Sequence, residues 1–443
     1  MQNTGKQSRS KKDKQSPIIG CFTFCFLSFV AGAALYEFGI FPGPFMRSAF
    51  SGAEAVYQKY IVYPGLGAYH PDIWTETERP ETGVTIYDPA QASNGFTLYT
   101  SGHAQKAFLI AMDGRVVHEW SLTYREVWSD PPHVADPVDD EFIYWRMAHL
   151  YPNGDLLAIY IGEGDTPWGY GLVKIDKDSN LIWKYSENVH HDIDVTEDGT
   201  IYTLTHPISK NEVAGIEPPF LNDMIVILSP EGEEIKKIPL MEAIRDSKYN
   251  TLFDRINTKN RRRDFLHSNS VDVVRKTIAG RDTILEQGQI LVSLRKMGAV
   301  ILVDPDSGIV TWALTGPWVA QHDPDILDNG HMLIFDNGGH FGPGGRSRVI
   351  EFDPFTQEIY WEYAGDDDHV FFSRLRGRQQ RLPNGNTLIT DSDIGRLVEV
   401  TPGKEIVWEY LSPHRAGENN ELVAVITGGQ RFTPESLTFL DHE

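Results

Sequence analysis

The chain has 443 residues, 41% of them hydrophobic, with 26 Pro, 39 Gly and only 2 Cys. That composition excludes a disordered chain, a collagen repeat and a small disulfide-stapled domain. The formal charge is −22. Five basic residues against Asp13 give residues 1–16 a local +4, which leaves −26 on the rest. A body this acidic repels nucleic acid and anionic lipid, so an anionic substrate needs a local Arg/His pocket working against that field.

Residues 17–41 predict a transmembrane signal-anchor. Ile18 to Tyr36 is a run of nineteen uncharged residues, long enough to cross roughly 30 Å of hydrocarbon as one helix. Lys6, Arg9, Lys11, Lys12 and Lys14 precede it, which places a short basic tail, residues 1–16, in the cytoplasm and the body outside. Ala31-Gly32-Ala33 leaves a cleaved signal peptide as the alternative. Both cysteines, Cys21 and Cys25, lie in this run, so the exported body has no thiol for catalysis, cross-linking or metal binding. No Asn stands in an N-x-Ser/Thr sequon, which favours a bacterial periplasm over a eukaryotic lumen. Residues 42–83 read as a juxtamembrane linker.

From residue 84 to 443 the chain repeats. A polar-Gly dipeptide followed by an apolar strand occurs at Asn94-Gly95, Asn153-Gly154, Asp198-Gly199, Gln287-Gly288, Asn329-Gly330 and Asn384-Gly385. Gly after Asn or Asp suits a tight hairpin turn with positive φ. Interleaved with these are six hairpins turning near Asp113, Asp176, Ser229, Asp304, Asp353 and Thr401, which end in Trp120, Trp183, Ile238, Trp312, Trp361 and Trp408. One hairpin of each kind makes a four-stranded antiparallel sheet that cannot bury its faces alone. Six such units predict an all-β fold, a six-bladed β-propeller, with the terminal Trp residues packed between blades. Long connections at about 121–148 and 239–286 interrupt the rhythm; the second contains a helix-like PLMEAIRDSKYNTLFDRI and the run Arg261-Arg262-Arg263. Such insertions usually cover a mouth of the central channel.

The candidate site lies just before the polar-Gly strands. His191-Asp-Ile-Asp-Val195, His267-Ser-Asn-Ser-Val271 and His322-Asp-Pro-Asp-Ile326 repeat His, small polar, any, small polar, β-branched. The first strand of each blade lines a propeller's tunnel, so these three imidazoles should converge on its axis. A three-His zinc site is one reading. The nearby Arg346, Arg348, Arg374, Arg376 and Arg378 disfavour a cation, so an anion is the expected ligand and no metal or other cofactor is called for.

At these residues the chain resembles a known family. HHDIDVTEDG, DFLHSNSVDV, QHDPDILDNGHMLIFDNGG, GRSRVIEFDP and RLPNGNTLITDSDIGRLVEVTPGKEIVWEY are similar to segments of the exported arylsulfate sulfotransferases, over roughly residues 84–440. The resemblance implies transfer of a sulfuryl group from an aryl sulfate to a phenol through a covalent sulfohistidine, without a nucleotide donor. It implies that His191 and His322 support the sulfuryl oxygens or protonate the leaving phenolate. It also implies that Arg346, or Arg348, clamps the sulfuryl group beside Asn337 of the FDNG strand. His267 fits the repeat without a matched family role. The family's nucleophilic His is expected in a later blade, where this chain has Arg378. His369, beside Asp366, Asp367 and Asp368, is the nearest substitute, and His322 or His191 are the others. The second hypothesis is a non-catalytic propeller that binds a small anion or a membrane-protein partner.

Overall fold

A computed structural model describes residues 26–30, 32 and 69–440, apart from 130–132, 257–262, 277–284, 339–345 and 368. The predicted signal-anchor and linker therefore lie largely outside the described residues, as do Arg261, Arg262, Asp368 and most of the GGHFGPGG stretch. No helix among the described residues is long and apolar enough to cross a membrane. The chain divides into Met1–Ala68 and a compact unit, Tyr69–Glu443.

The compact unit is built from antiparallel strands of two to eight residues, which alternate faces as the sequence repeats require. Among the described residues there are six sheets of four or five strands. Numbering only the innermost strand of each sheet gives β1 (Ile143–Leu150), β2 (Val189–Val195), β3 (Ser268–Val273), β4 (His322–Ile326), β5 (Arg378–Arg381) and β6 (Ile426–Phe432). In the first five sheets the chain runs outward from the innermost strand through three more. The sixth sheet joins the two ends of the compact unit: β6 pairs with Phe96–Ser101, which continues into Lys106–Ile110 and Val116–Ser121. The innermost strands touch in the order β1 to β6 and back to β1, so their arrangement closes on itself.

This closure explains a glycine that the turn pattern misreads. Gly154, Gly199, Gly288, Gly330 and Gly385 all hold φ between 81° and 90°, as a hairpin turn requires. Gly95 does not, because the strand before Phe96–Ser101 comes from the far end of the chain and no hairpin forms there. Its reason is space: a Cβ at Gly95 would stand 2.1 Å from the Phe432 carbonyl oxygen of β6.

Outer-strand tryptophans tie four of the sheets to the next. The indole N–H of Trp120 donates to the Gly154 carbonyl (3.0 Å), Trp183 to Pro230 (3.1 Å), Trp361 to Pro402 (3.0 Å) and Trp408 to Met112 (2.9 Å). Each acceptor sits in or beside a turn of the following sheet, whose carbonyls no ladder partner reaches. In the second sheet, where Ile238 replaces Trp, Lys236 Nζ does the same to the Pro305 and Asp306 carbonyls (2.5 and 2.8 Å). The core lies in the layers between sheets. Ile225 and Ile227 of the second sheet pack with Ile290, Val292 and Ile301 of the third, for example, and each such buried side chain contributes about 1.5–3 kcal/mol.

Three boundaries differ from the sequence reading. The compact unit starts at Tyr69, not at 84, because Trp74–Glu76 pairs with Leu422–Ala424 and Gly83–Tyr87 adds a fifth strand outside Ile406–Leu411. The insertion expected at 121–148 ends at Phe142, since 143–148 already belong to β1. It contains a helix, Tyr124–Val127, started by a capping box between Thr123 and Glu126. The insertion expected at 239–286 supplies helix Leu240–Arg245, the 3-10 turn Asn250–Arg255 and the whole of β3.

Closure through Gly95 is testable. Gly95→Ala should destabilise the compact unit by about 1–3 kcal/mol, the usual cost of an overpacked contact, read as a lower urea midpoint. Gly288→Ala, whose added Cβ meets nothing within 4 Å, tests φ strain alone.

Candidate functional site

The innermost strands are bent by β-bulges where the chemistry sits. Register slips between Trp145 and Met147 in β1, His190 and Ile193 in β2, Ser268 and Ser270 in β3, and His322 and Asp325 in β4. A bulge leaves residues outside the ladder and re-aims their side chains. His191 and Asp323, both within such slips, take φ of 61° and 52°, and His267, at the entrance to β3, takes 52°. L-residues with side chains of this size rarely adopt that region, and its use clusters at functional sites.

The bulges open onto a run of cavities along the innermost strands. A cavity of about 280 Å³ is lined by His191, His267, Arg146, Arg376, Trp168 and Tyr144, among others. It narrows to a neck shared by Arg146, His191, Asn269, His322, Asp192 and Arg378. Beyond the neck a second cavity of about 150 Å³ meets Arg378, His149, Asp194 and Arg275. Arg146 and His191 face both the large cavity and the neck; Arg378 faces the neck and the second cavity.

His322 is buried at 2% exposure, with its tautomer set from behind. Asn337 Nδ2 donates to the carbonyls of Ser373 (2.8 Å) and Arg376 (2.7 Å), so its Oδ1 faces His322 as an acceptor. His322 Nδ1 therefore carries the hydrogen and donates it to Asn337 Oδ1 (2.7 Å), with the Ala320 carbonyl at 3.1 Å. That leaves Nε2 as a lone pair, and this buried atom has no hydrogen-bond partner. Burial, reinforced by the charges of Arg295 and Arg146, holds the imidazole well below its ordinary pKa and neutral.

His267 is oriented in a comparable way. Its Nδ1 stands 2.6 Å from Asp264 Oδ2, which also accepts from Lys296 Nζ (2.7 Å). Burial would raise Asp264, but His267 and Lys296 outweigh it and keep the carboxylate ionised. Burial lowers His267 despite that carboxylate, so the ring is neutral, with Nδ1–H toward Asp264 and Nε2 free to take a proton. The rings of His191 and Trp168 lie 5.0 and 5.4 Å from it.

Arg378 crosses the neck. Its guanidinium contacts Asp192 Oδ1 at 3.0 Å and Asp323 Oδ1 at 3.5 Å. Burial works against that charge, but Asp323 and Asp192 outweigh it and push the guanidinium upward. Asp323 is raised by burial, against the pull of Arg378, to about 6. Arg146 donates to the Thr427 carbonyl, and burial lowers it only to about 10, so it stays cationic at neutral pH.

The structure brings His191, His267, His322, Asn337 and Arg378 to this region and separates the other expected residues from it. Arg346 pairs with the exposed Asp367. Arg348 is consumed by Asp336 (2.8 Å), Glu362 (2.9 Å) and the Pro317 carbonyl (2.6 Å). The reason is topological: Arg348–Phe352 is the third strand of its sheet, two ladder steps of about 4.8 Å each from β4. His369 is 43% exposed and held by Asp366 at 3.0 Å. His267 is also out of register with its sequence match. By ladder pairing Val273, not Val271, corresponds to Val195 and Ile326, so Asn269 takes the strand position of His191 and His322. The imidazole reaches the cluster from two residues earlier.

The cation missed by sequence reading is Arg146. Its signal was present: Arg146, His191 and His322 each stand seven residues before the Asn or Asp of their polar-Gly turn. Arg376 and Arg295 enter from connections with no such spacing.

Among the described residues two groups have metal-ligand composition, His190 with His206 and Asp223, and His70 with Asp72 and Glu163. Neither suits a cation. The Gly169 N–H donates to His206 Nε2 (3.1 Å), which puts the remaining ring hydrogen on Nδ1 in the centre of the first group. In the second, Glu163 and Asp72 are already paired with Arg376 (3.1 Å) and Arg374 (2.9 Å).

The fold is thus an all-β body with imidazole and guanidinium groups gathered along its innermost strands. The sequence model of the arylsulfotransferase (ASST) family matches residues 147–413, and the chain belongs to that family. No curated protein matches it significantly. Among solved structures it is similar to a protein of unknown function from Bacteroides caccae, at 14% identity and a TM-score of 0.48, covering 76% of this chain and 98% of the other. A streptogramin B lyase, at 11% identity, has a TM-score of 0.40 over 80% and 94%. The virginiamycin B lyase of Staphylococcus aureus, at 12%, has 0.39 over 77% and 88%.

The neck makes a pH-dependent prediction. Asp323 has a folded-state pKa raised above its unfolded value, so its contribution to stability falls as pH rises from the ordinary carboxylate range through about 6. Removing Arg378 raises it further. Arg378→Met should therefore lose roughly 3–5 kcal/mol at about pH 8, the cost of orphaning buried carboxylates, and recover part of it at about pH 5. Thermal melts of both proteins across that range check it.

Proposed function

We propose that this protein is a six-bladed propeller that transfers a sulfuryl group from an aryl sulfate to a phenolic acceptor, with His322 as nucleophile. The observation that carries the assignment is the buried, unpartnered Nε2 lone pair of His322, beside Arg146 in the neck. Six sheets whose innermost strands contact in a closed order support the blade count.

The substrate enters the larger cavity with its aryl ring against Trp168 and Tyr144 and its sulfate toward the neck. Arg146 neutralises the equatorial oxygens, as group transfer at a tetrahedral oxyanion requires. His322 Nε2 attacks sulfur as the S–O bond to the aryl oxygen breaks. The Nδ1–H stays on Asn337, so the positive charge that develops on the ring is shared with a fixed acceptor. The phenolate leaves and takes a proton from solvent, to which His267 later returns the proton it removes from the acceptor. A second phenol, deprotonated by the His267–Asp264 pair, takes the sulfuryl group from Nε2 and restores the neutral imidazole. The kinetics are ping-pong.

Arg378 needs no catalytic role in this scheme. It holds Asp192 and Asp323 and closes the far side of the neck. The competing reading, binding of an anion without transfer, draws on the presence of Arg378 where the family's nucleophile is expected. The residues before the compact unit serve as a single-pass anchor with the propeller outside the cytoplasm. Protection of the propeller from protease added to spheroplasts would overturn that placement.

Incubation with 4-nitrophenyl sulfate and excess phenol should release nitrophenolate. His322→Ala should lower that rate about a thousandfold or more, as loss of a covalent nucleophile does. A radiolabelled donor should leave acid-labile label on the wild type and none on the variant. Label retained in His322→Ala would move the nucleophile elsewhere, and no label on either protein would favour the binding reading.

A further inference from the structure

Behind His191 lies a chain of buried polar groups that the transfer mechanism does not use. His191 Nδ1 meets His190 Nδ1 at 2.6 Å, so one of the two donates and the other accepts. His190 is completely buried; its Nε2 has no hydrogen-bond partner and faces Asp223 Oδ1 at 3.6 Å. Asp223 is also buried, with Oδ2 accepting the Ser268 N–H (3.0 Å). His206 stacks on His190 with ring centroids 4.1 Å apart, and ring nitrogens of both histidines and an oxygen of Asp223 fall within 4.8 Å of one another.

The direction of the hydrogens along this chain is set by the Asp223 carboxyl, buried beside His190, His206 and the Ser268 amide. A backbone amide can only donate. Because the Gly169 N–H occupies His206 Nε2, the remaining ring hydrogen of His206 sits on Nδ1, a buried atom with no hydrogen-bond partner. Asp223 Oδ2 accepts from the Ser268 amide and, as a neutral acid, Asp223 has a hydrogen of its own to give from Oδ1 to His190 Nε2. The groups around it favour that form. Burial and the ionised Asp264 raise Asp223 well above the ordinary carboxylate range, while the Ser268 amide and Lys296 pull the other way without reversing the direction. His190, His206 and His267 are all lowered by burial and stay neutral. With His190 Nε2 accepting, His190 Nδ1–H donates to His191 Nδ1, and the one remaining hydrogen of His191 sits on Nε2.

We propose that Asp223 and His190 are positioning residues that hold His191 in the Nε2–H tautomer, aimed into the neck as a donor to a sulfuryl oxygen or the departing aryl oxygen. This rests on the sulfuryl-transfer reading and adds a role for a residue pair outside the cavity lining. The 3.6 Å gap between His190 and Asp223 is a free-protein distance of the kind that tightens when substrate is bound. No proton leaves the chain, so Asp223 acts as a neutral donor throughout.

Two measurements decide it. In protein labelled with nitrogen-15 histidine, His191 should show a protonated Nε2 and an unprotonated Nδ1; the opposite tautomer overturns the proposal. This readout needs no turnover, so it stands even if the protein transfers no sulfuryl group. In the nitrophenolate assay, Asp223→Ala should lower kcat about a hundredfold, as losing an oriented oxyanion donor does, with KM little changed. Asp223→Asn, whose amide can donate to His190 and accept from Ser268, should restore most of that loss. If Asp223→Asn is as impaired as Asp223→Ala while both keep the wild-type melting profile, Asp223 acts as an anion and the proposal fails.

Discussion

The pairing of β6 with Phe96–Ser101 is the constraint on which everything else depends. Each sheet has two faces to bury and can do so only against its neighbours, so a linear stack would leave two apolar faces in water. Bringing the last strand back to the first hairpin removes both exposed faces at once. It also brings six innermost strands to contact in a closed order, and that order carries residues 146, 191 and 322 to one place from sheets far apart in the chain.

Closure also sets the electrostatics. Packing six strands around a narrow passage strips water from every side chain that points inward, and without partners the charged ones would be costly. The strands answer with compensation that changes along the passage. At the neck, Arg378 is shared by Asp192 and Asp323. In the larger cavity His191 and His267 are kept neutral by burial while Arg146 remains cationic. The larger cavity, with four basic and four acidic side chains in its lining, is thus formally neutral in a chain of net −22, which lowers the barrier that the overall field sets to an anion.

Reactivity at this site comes from tautomers more than from charge. His322, His267 and His191 are each backed by a different partner: an amide oxygen, a carboxylate and a second imidazole. An amide oxygen can only accept, so it leaves His322 with a free Nε2 lone pair. A carboxylate also accepts, but its charge lets His267 take up a further proton. An imidazole transmits whatever lies behind it. Three chemically identical side chains thereby acquire three different capacities.

Much of the architecture was legible in the chain. Polar-Gly turns and Trp-ended hairpins recur in strict alternation because each sheet solves the same local problem, so the six sheets and the inter-sheet tryptophans could be read from spacing. His191 and His322 were legible for the same reason, as was Asn337 through the family resemblance. What sequence could not supply were the register of His267, displaced because the inner strand runs two residues past the motif's Val271 to Val273; the loss of Arg346 and Arg348 to outer ion pairs, decided by their place at the third strand of the sheet; and Gly95, whose need arises from a strand more than three hundred residues away. Local repetition determines which residues line an inner strand. Only closure of the sheets decides which of them meet, since that depends on contacts between strands that spacing along the chain does not encode.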